Sequence, residues 1–232
     1  MSLFEVRNLT KSYQIGEVKT DALRGVDLSV ERGEFTAIAG PSGSGKSTLL
    51  HLMGGLDSPT SGEVYLNGTR VDQLSKQEAA EMRLKHLGFV FQAYNLIPVL
   101  TALENAAFVL ELQGVGKKKR EAKARESLKA LGIEEFAGRK PNQLSGGQQQ
   151  RVAVARAFAA EPDIILADEP TANLDSKSGG QLIELMKRLN TERGVTFVFS
   201  THDPRLLEHV TRTVEMEDGR IVGADKREAV AV

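Results

Sequence analysis

Cysteine is missing from the 232 residues, charge of one sign does not prevail, and long apolar runs are absent. Without cysteine there is neither a disulfide framework nor a thiolate metal site, and the composition is compatible with a reducing compartment. Lys and Arg number 30 against 31 Asp and Glu, so there is no strong global field to draw in nucleic acid or an anionic membrane. No apolar run approaches the ~20 residues that span a bilayer. The opening Met1-Ser2-Leu3-Phe4-Glu5-Val6-Arg7 puts an acid and a base where a signal peptide needs an apolar core. If the chain serves a membrane process, another chain provides the membrane. What is present, 41% hydrophobic residues, is enough for one large α/β domain or a core with a smaller attached lobe.

The most specific segment is Gly40-Pro41-Ser42-Gly43-Ser44-Gly45-Lys46-Ser47-Thr48, which fits G-x-x-x-x-G-K-[ST]. It follows the apolar run Phe35-Thr36-Ala37-Ile38-Ala39, a buried strand, and precedes Leu49, Leu50, Leu52 and Met53 at helical spacing. Glycines at 40, 43 and 45 open conformations closed to other residues, so successive N–H groups can turn inward on phosphate oxygens, with the positive end of the helix dipole behind them. Lys46 is expected to reach the β- and γ-phosphates as a point charge, and the Ser47 hydroxyl to ligate Mg2+.

Further on, Asp163-Ile164-Ile165-Leu166-Ala167-Asp168-Glu169-Pro170 reads as a second buried strand ending in two acids. In an open parallel sheet that carboxyl end is the ligand edge, beside the phosphate loop. Neighbours on a strand face opposite ways, which predicts Asp168 toward the Mg2+ shell and Glu169 toward the water that attacks the γ-phosphate.

The rest of the chain changes character twice. Short strands are expected at residues 4–9, 23–30, 35–39 and 63–66, the last followed by the turn pair Asn67-Gly68. Leu103, Ala106, Ala107 and Leu110, then Ala124, Leu128 and Leu131, repeat at helical spacing and predict an inserted helical lobe. Alternation returns with Leu182, Leu185, Met186 and Leu189 on a helix, then strands at 196–200 and 211–216 before the turn at Asp218-Gly219. Residues from about 224 lack apolar patterning and read as a frayed tail. The one charge run, Lys117-Lys118-Lys119-Arg120, opposes the dipole at a helix start and reads as a solvated turn rather than a nucleic-acid patch.

Leu144-Ser145-Gly146-Gly147-Gln148 starts another helix: Ser145 caps, the two glycines leave the amides unobstructed, and Val152, Ala155 and Ala159 form a packing face. A phosphate loop and a second anion-binding helix start on a separate lobe allow two arrangements. The chain binds two phosphates, or it shares one nucleotide with another copy of itself; the residues alone do not choose.

Six ordered motifs resemble those of ATP-binding cassette (ABC) ATPases over residues 2–222: the phosphate loop, Gln92 after Phe89-Val90-Phe91, the LSGGQ segment 144–148, Asp168-Glu169, Asn173-Leu174-Asp175, and Ser200-Thr201-His202-Asp203. The resemblance implies an α/β phosphate-loop NTPase core with an antiparallel β-subdomain and an inserted helical subdomain. Residues 1–87 and 160–223 would be the core with its β-subdomain, 88–159 the helical subdomain, and 224–232 a tail. It implies ATP and Mg2+ as cofactors, with ATP hydrolysed to ADP and phosphate. Two copies would close head-to-tail around two ATP, so that Ser145, Gly146, Gly147 and Gln148 of one meet the nucleotide held by residues 40–48 of the other. Tyr13 resembles the aromatic that stacks on adenine, Gln92 the residue joining Mg2+ and water to the helical lobe, His202 the switch histidine on the γ-phosphate, and Asp175 the acid coupling the two sites. Lys46, Gln92, Glu169 and His202 would carry catalysis; Ser47, Gln92 and Asp168 would hold the metal. His51, His86 and His209 match no motif.

Within the family, the opening loop at 13–21, the stretch 51–62 and Thr101-Ala102-Leu103-Glu104-Asn105 look most like lipoprotein-releasing and macrolide-exporter-type subunits. That implies a permease partner and a peripheral place on the cytoplasmic face of the inner membrane, with residues 93–100 forming part of the permease groove. One departure is Thr171-Ala172-Asn173, where Thr-Gly-Asn is expected. A regulatory cassette that gates a membrane protein in cell division is the alternative, and the long opening loop argues mildly against it. A soluble cassette acting on nucleic acid would carry coiled coils, zinc modules or tandem cassettes, which 232 residues without cysteine do not accommodate.

Overall fold

The chain opens on two long, mostly polar strands, β1 (Ser2–Ile15) and β2 (Val18–Glu31). They pair antiparallel along their whole length, with Tyr13 opposite Thr20 and Gln14 opposite Lys19. The stretch expected as an opening loop at 13–21 is therefore the distal half of a hairpin. Tyr13, Gln14 and residues 18–21 are exposed, so the stretch lacks the apolar alternation that marks a half-buried strand, and cross-strand backbone pairing carries it. The computed structural model describes residues 2–16 and 18–226.

Where a strand is apolar at nearly every position, it is buried on both faces. β3 (Phe35–Ala39) is followed by helix α1 (Lys46–Met53). β4 (Ser61–Leu66) and β5 (Thr69–Arg70) join the hairpin in an antiparallel sheet of order β2-β1-β4-β5, turning at Asn67 and Gly68, both at positive φ. α2 (Lys76–His86) leads into β6 (Leu87–Val90). Three helices of the inserted lobe follow, α3 (Ala102–Leu112), α4 (Lys117–Ala130) and α5 (Gly146–Ala159). The chain then builds β7 (Ile164–Asp168), α6 (Ser176–Arg193), β8 (Thr196–Thr201), α7 (Pro204–His209), β9 (Arg212–Glu217) and β10 (Arg220–Lys226).

The second sheet has the order β10-β9-β3-β8-β7-β6, and every pairing in it is parallel except β10 with β9. Side chains leave its central strands alternately to two cores. Phe35, Phe197 and Phe199 meet the helices on one face, with ring centroids 4.7 to 5.5 Å apart, while Ile38, Val198 and Leu166 meet α1 and the β-subdomain on the other.

Two further elements differ from the sequence expectation. β10 continues three residues beyond 223, pairing Ala224, Asp225 and Lys226 with Val214, Thr213 and Arg212, because an edge strand can be polar as long as its partner supplies the ladder; the remaining expected tail, 227–232, lies outside the described residues. α2 has no apolar stripe, and only Met82 on it is buried. Its signal is the capping box, in which Ser75 accepts from the Glu78 amide and Glu78 accepts from the Ser75 amide. The basic run 117–120 forms the first turn of α4, where Arg120 pairs with Glu111 at 2.8 Å.

At the amino ends of the strands, Asp163 accepts from Arg32 at 2.9 Å and from Asn67 at 3.1 Å, and lies 2.7 Å from His86 Nδ1. Burial works to raise this carboxyl's pKa, but the bonds from Arg32 and His86 outweigh it and hold the value below the ordinary one. A depressed carboxylate contributes stability above its unfolded pKa and loses that contribution as pH falls through the folded value. Asp163→Asn is therefore expected to destabilise the protein by about 1–2 kcal/mol near neutrality. In urea unfolding the gap to wild type should narrow as pH falls through and below the ordinary carboxylate range; a gap independent of pH would show that the charge is not what the three partners recognise.

Candidate functional site

The phosphate loop sits where β3 gives way to α1, and close approach dictates its glycines. Gly45 caps α1 in the left-handed region at φ 101°, and a Cβ there would lie 2.6 Å from the Ala22 carbonyl. At Gly40 it would lie 2.1 Å from the Met216 carbonyl, so the loop is wedged between β2 and β9. Lys46 is 6% exposed, and its ammonium donates to the carbonyls of Gly40 and Pro41 at 2.8 and 2.9 Å. Ser44 Oγ is buried with no partner.

Across the sheet edge, the Ser47 hydroxyl donates to Asp168 Oδ1 at 2.7 Å, and Ser200 Oγ bonds the same oxygen. His51, given no role from sequence, lies one turn along α1 with Nε2 3.7 Å from Asp168 Oδ2. Glu169 is not a continuation of the strand. β7 ends at Asp168, and Glu169 turns off at φ 45° while its amide bonds the Ser200 carbonyl. The two acids do diverge, but the left-handed residue separates them rather than strand alternation. Glu169 Oε1 lies 2.8 Å from His202 Nδ1, and its Oε2 is buried with no partner.

A cavity of about 600 Å³ opens between these groups, walled by Lys46, Ser47, Thr48, Gln92, Glu169 and His202. Pro41, Ser42, Gly43 and Gly45 complete the loop side. Thr20, Asp21 and Ala22 of β2 also line it, a contribution invisible while that stretch reads as a loop. Ala172 stands in the wall with no positive φ, so the backbone there does not call for the glycine expected from the family pattern. Tyr13 is not in the wall; its hydroxyl donates to Asp57 Oδ2 at 3.0 Å.

The structure keeps the second helix start away from this cavity. Ser145 caps α5, accepting from the Gln148 amide at 3.3 Å while Gln148 Oε1 accepts from the Ser145 amide at 2.9 Å. A Cβ on Gly146 would lie 2.8 Å from the Tyr94 hydroxyl, and one on Gly147 3.1 Å from Ser178. Asp175 caps the neighbouring α6, accepting from the Ser178 amide at 2.9 Å, and bonding with Ser178 lowers its pKa. Ser145, Gly146, Gly147, Gln148 and Asp175 thus share one surface, and none of them lines the cavity.

A family model described as ABC transporter matches residues 23–172. The chain belongs to the ABC transporter family. It is 48% identical over 228 residues to an uncharacterized ABC transporter ATP-binding protein of Thermotoga maritima, covering 98% of this chain and 97% of that protein. It is also 48% identical over 228 residues to the uncharacterized ABC transporter ATP-binding protein MJ0796 of Methanocaldococcus jannaschii, covering 97% of each. Two solved structures superpose with a TM-score of 0.90 at 46% identity, over 97% of this chain and 99% of theirs. One is described as a dimeric structure of MJ0796, an ABC transporter cassette, the other as its dimeric post-hydrolysis state bound to ADP and Pi.

In this ABC ATPase the most informative residue that sequence reading missed is Gln150. It is fully buried on α5, and its amide donates to the carbonyls of Phe91 at 3.2 Å and Pro170 at 2.8 Å, beside Gln92 and Glu169 respectively. Asn173 adds a bond to the Gln92 carbonyl at 3.0 Å, and Arg156 holds the carbonyls of Tyr94 and Asn95. Asp203 joins Thr171 at 2.7 Å to Arg205, fixing the segments after Glu169 and His202 against each other. A glutamine on an otherwise apolar helix face was the signal. Gln150→Leu keeps the volume and strands two carbonyls, so denaturant unfolding should show a loss of about 1–3 kcal/mol. Hydrolysis should fall more than ATP affinity; equal losses would mean that Gln150 supports the fold without ordering the edge.

Proposed function

We propose that the cassette works as one half of a head-to-tail pair that closes around two Mg-ATP and drives a partner permease, in export or in lipoprotein release from the inner membrane. The observation that carries this reading is the separation within one chain of the Ser145–Gly147 helix start from the cavity of Lys46, Ser47, Glu169 and His202. A second copy supplies the missing anion-binding end, and the dimeric MJ0796 structures support the pairing.

Each residue's role follows from its chemistry. The loop backbone at Ser42, Gly43 and Gly45, which lines the cavity, and Thr48 cradle phosphate, and Lys46, now turned onto two loop carbonyls, carries the charge for the β- and γ-phosphates. Ser47, Asp168 and Gln92 offer a hydroxyl, a carboxylate and an amide carbonyl, the oxygen donors that suit Mg2+ with phosphates completing the shell. When bound, that ion neutralises charge on the phosphates. Glu169 Oε2, buried and unpartnered, orients the attacking water and takes its proton as the new P–O bond forms and ADP leaves with the electrons of the bridging oxygen. His202 holds Glu169 through Nδ1, and with both ring nitrogens protonated its Nε2–H serves the γ-phosphate. Tyr13 stacks on adenine, and Asp175 and Gln148 stand at the surface where the copies meet.

For the permease, an apolar groove of about 400 Å³ runs beside the segment after Gln92, lined by Leu56, Leu84, Phe89, Phe91, Phe108 and Leu112. Leu112 is 58% exposed and Leu56 45%, as suits a surface a partner covers. Of residues 93–100 only Asn95 reaches its wall; helices α2 and α3 flank it, with β6 and α5 contributing the rest of the lining beside Leu56 and Phe91. No helix among the described residues is long and apolar enough to cross a membrane. Docking on a permease would place the cassette peripherally on the cytoplasmic face.

Glu169→Gln should bind ATP, persist as a dimer in it on size exclusion, and release phosphate about 10²- to 10⁴-fold more slowly. Held in ATP, the same variant should bring a multi-spanning permease out of detergent-solubilised membranes. Turnover near wild type refutes the role of Glu169, and recovery of DNA or ribosomes in place of a membrane protein overturns the transport role.

A further inference from the structure

Outside the phosphate site, the most deliberately built polar cluster surrounds Tyr13. Asp57 lies just past the end of α1, whose start carries Ser47 and Thr48. Its Oδ2 accepts from the Tyr13 hydroxyl at 3.0 Å, and its Oδ1 accepts from Lys11 Nζ at 2.8 Å and from the Ser58 amide at 2.7 Å. Lys11 donates a second bond to the Ser58 carbonyl at 2.7 Å. Its side chain is only 12% exposed, unusual for lysine, and its ammonium stands 4.8 Å from the centroid of the Tyr13 ring. The ring is thus gripped at its hydroxyl and covered on one face, while the residue remains 37% exposed.

Two elements converge to make this grip. Lys11 and Tyr13 lie two apart on β1, beside a register shift against β2 between Lys11 and Ser12 that re-aims the strand. The same segment is tied to the Asp57 loop by Thr60, whose amide donates to the Thr10 carbonyl at 2.9 Å and whose hydroxyl accepts from the Ser12 amide at 2.9 Å. A free surface tyrosine would lose rotamer freedom on stacking; this one has lost it already.

We propose that Asp57 and Lys11 are positioning residues for the nucleobase, locking the Tyr13 ring so that one face is taken by the ammonium and the opposite face is presented to the base. The proposal rests on the reading of Tyr13 as the base-stacking residue. It makes α1 a gauge between the two ends of the nucleotide, with phosphate ligands at its start and the anchor of the base platform beyond its end. Because stacking engages the face of the base and not its edge, the pair sets affinity for the base without reading its identity.

The test compares ADP, which needs no hydrolysis, with inorganic tripolyphosphate, which has no base, by calorimetric titration of the whole chain. Tyr13→Ala should weaken ADP about ten-fold or more. Tyr13→Phe keeps the ring and removes the grip, and should weaken ADP about three- to ten-fold, as should Asp57→Ala. Combined, Tyr13→Phe and Asp57→Ala should be far less than additive. Tripolyphosphate affinity should be the same in all. Wild-type ADP affinity in Tyr13→Phe, with a large loss in Tyr13→Ala, overturns the positioning role and keeps the stacking role; no loss in Tyr13→Ala overturns both. Equal losses for ADP and tripolyphosphate in Asp57→Ala also overturn the proposal, since the change then acts on the phosphate loop.

Discussion

The carboxylate of Asp168 joins three elements at a single oxygen. Ser47 reaches it from the first turn of α1 and Ser200 from β8, while the acid itself closes β7. Its position depends on the parallel register that sets Asp168 opposite Ser200 and, one strand further, Ala39 opposite Thr201. A slip of one residue would turn Ser200 to the other face. That slip is opposed by the core, because Phe197 and Phe199 fill the helical side and Val198 the side of α1, and exchanging them would misfit both. The polar edge is thus held in place by apolar packing several residues away.

Beyond Asp168 the chain must turn sharply, and the turn decides what Glu169 can do. A glutamate at positive φ costs about 1 kcal/mol or more. The bond from its amide to Ser200 and the Thr171–Asp203–Arg205 chain offset that cost. The result is one carboxylate committed to Ser47 and Ser200 and a second with one oxygen bonded and one unpartnered. Two adjacent acids acquire different surroundings without any distance between them in sequence.

Elements defined by burial were legible in the sequence, and those defined by hydrogen bonding were less so. The mostly apolar runs of β3, β7 and β8, the stripe of α6 and the phosphate loop between β3 and α1 follow from composition along the chain. Ser145 as a cap was readable for the same reason, since its partner Gln148 is three residues on. The distal hairpin of β1 and β2 was not, because its stability lies in cross-strand backbone bonds that leave no apolar trace. Nor was α2, whose sole local sign was Ser75 with Glu78. Buried Gln150 and Asn105 escaped because a polar residue on a helix reads as solvated until the carbonyls it serves are known. Asn105 accepts from the Ile97 amide and donates to the carbonyls of Ile97, Leu100 and Thr101, none of which announces a need for it.

Gln150 also shows how the inserted lobe and the core share one device. Helix α5 carries Ser145 at its start and Gln150 within its second turn, and its alanines let it approach β6 so closely that a Cβ on Gly88 would meet the Ala157 carbonyl at 3.0 Å. A helix of this length spans about 21 Å and is stiff over that distance. The amide of Gln150 bonds the backbone on either side of the cavity, beside Gln92 and beside Glu169. One side chain of the helix thus bridges the two segments, five residues along from the cap at Ser145. Small side chains make the approach possible and one buried amide makes it specific, so the start of α5 and the strand edge beside Gln92 and Glu169 are tied through one helix.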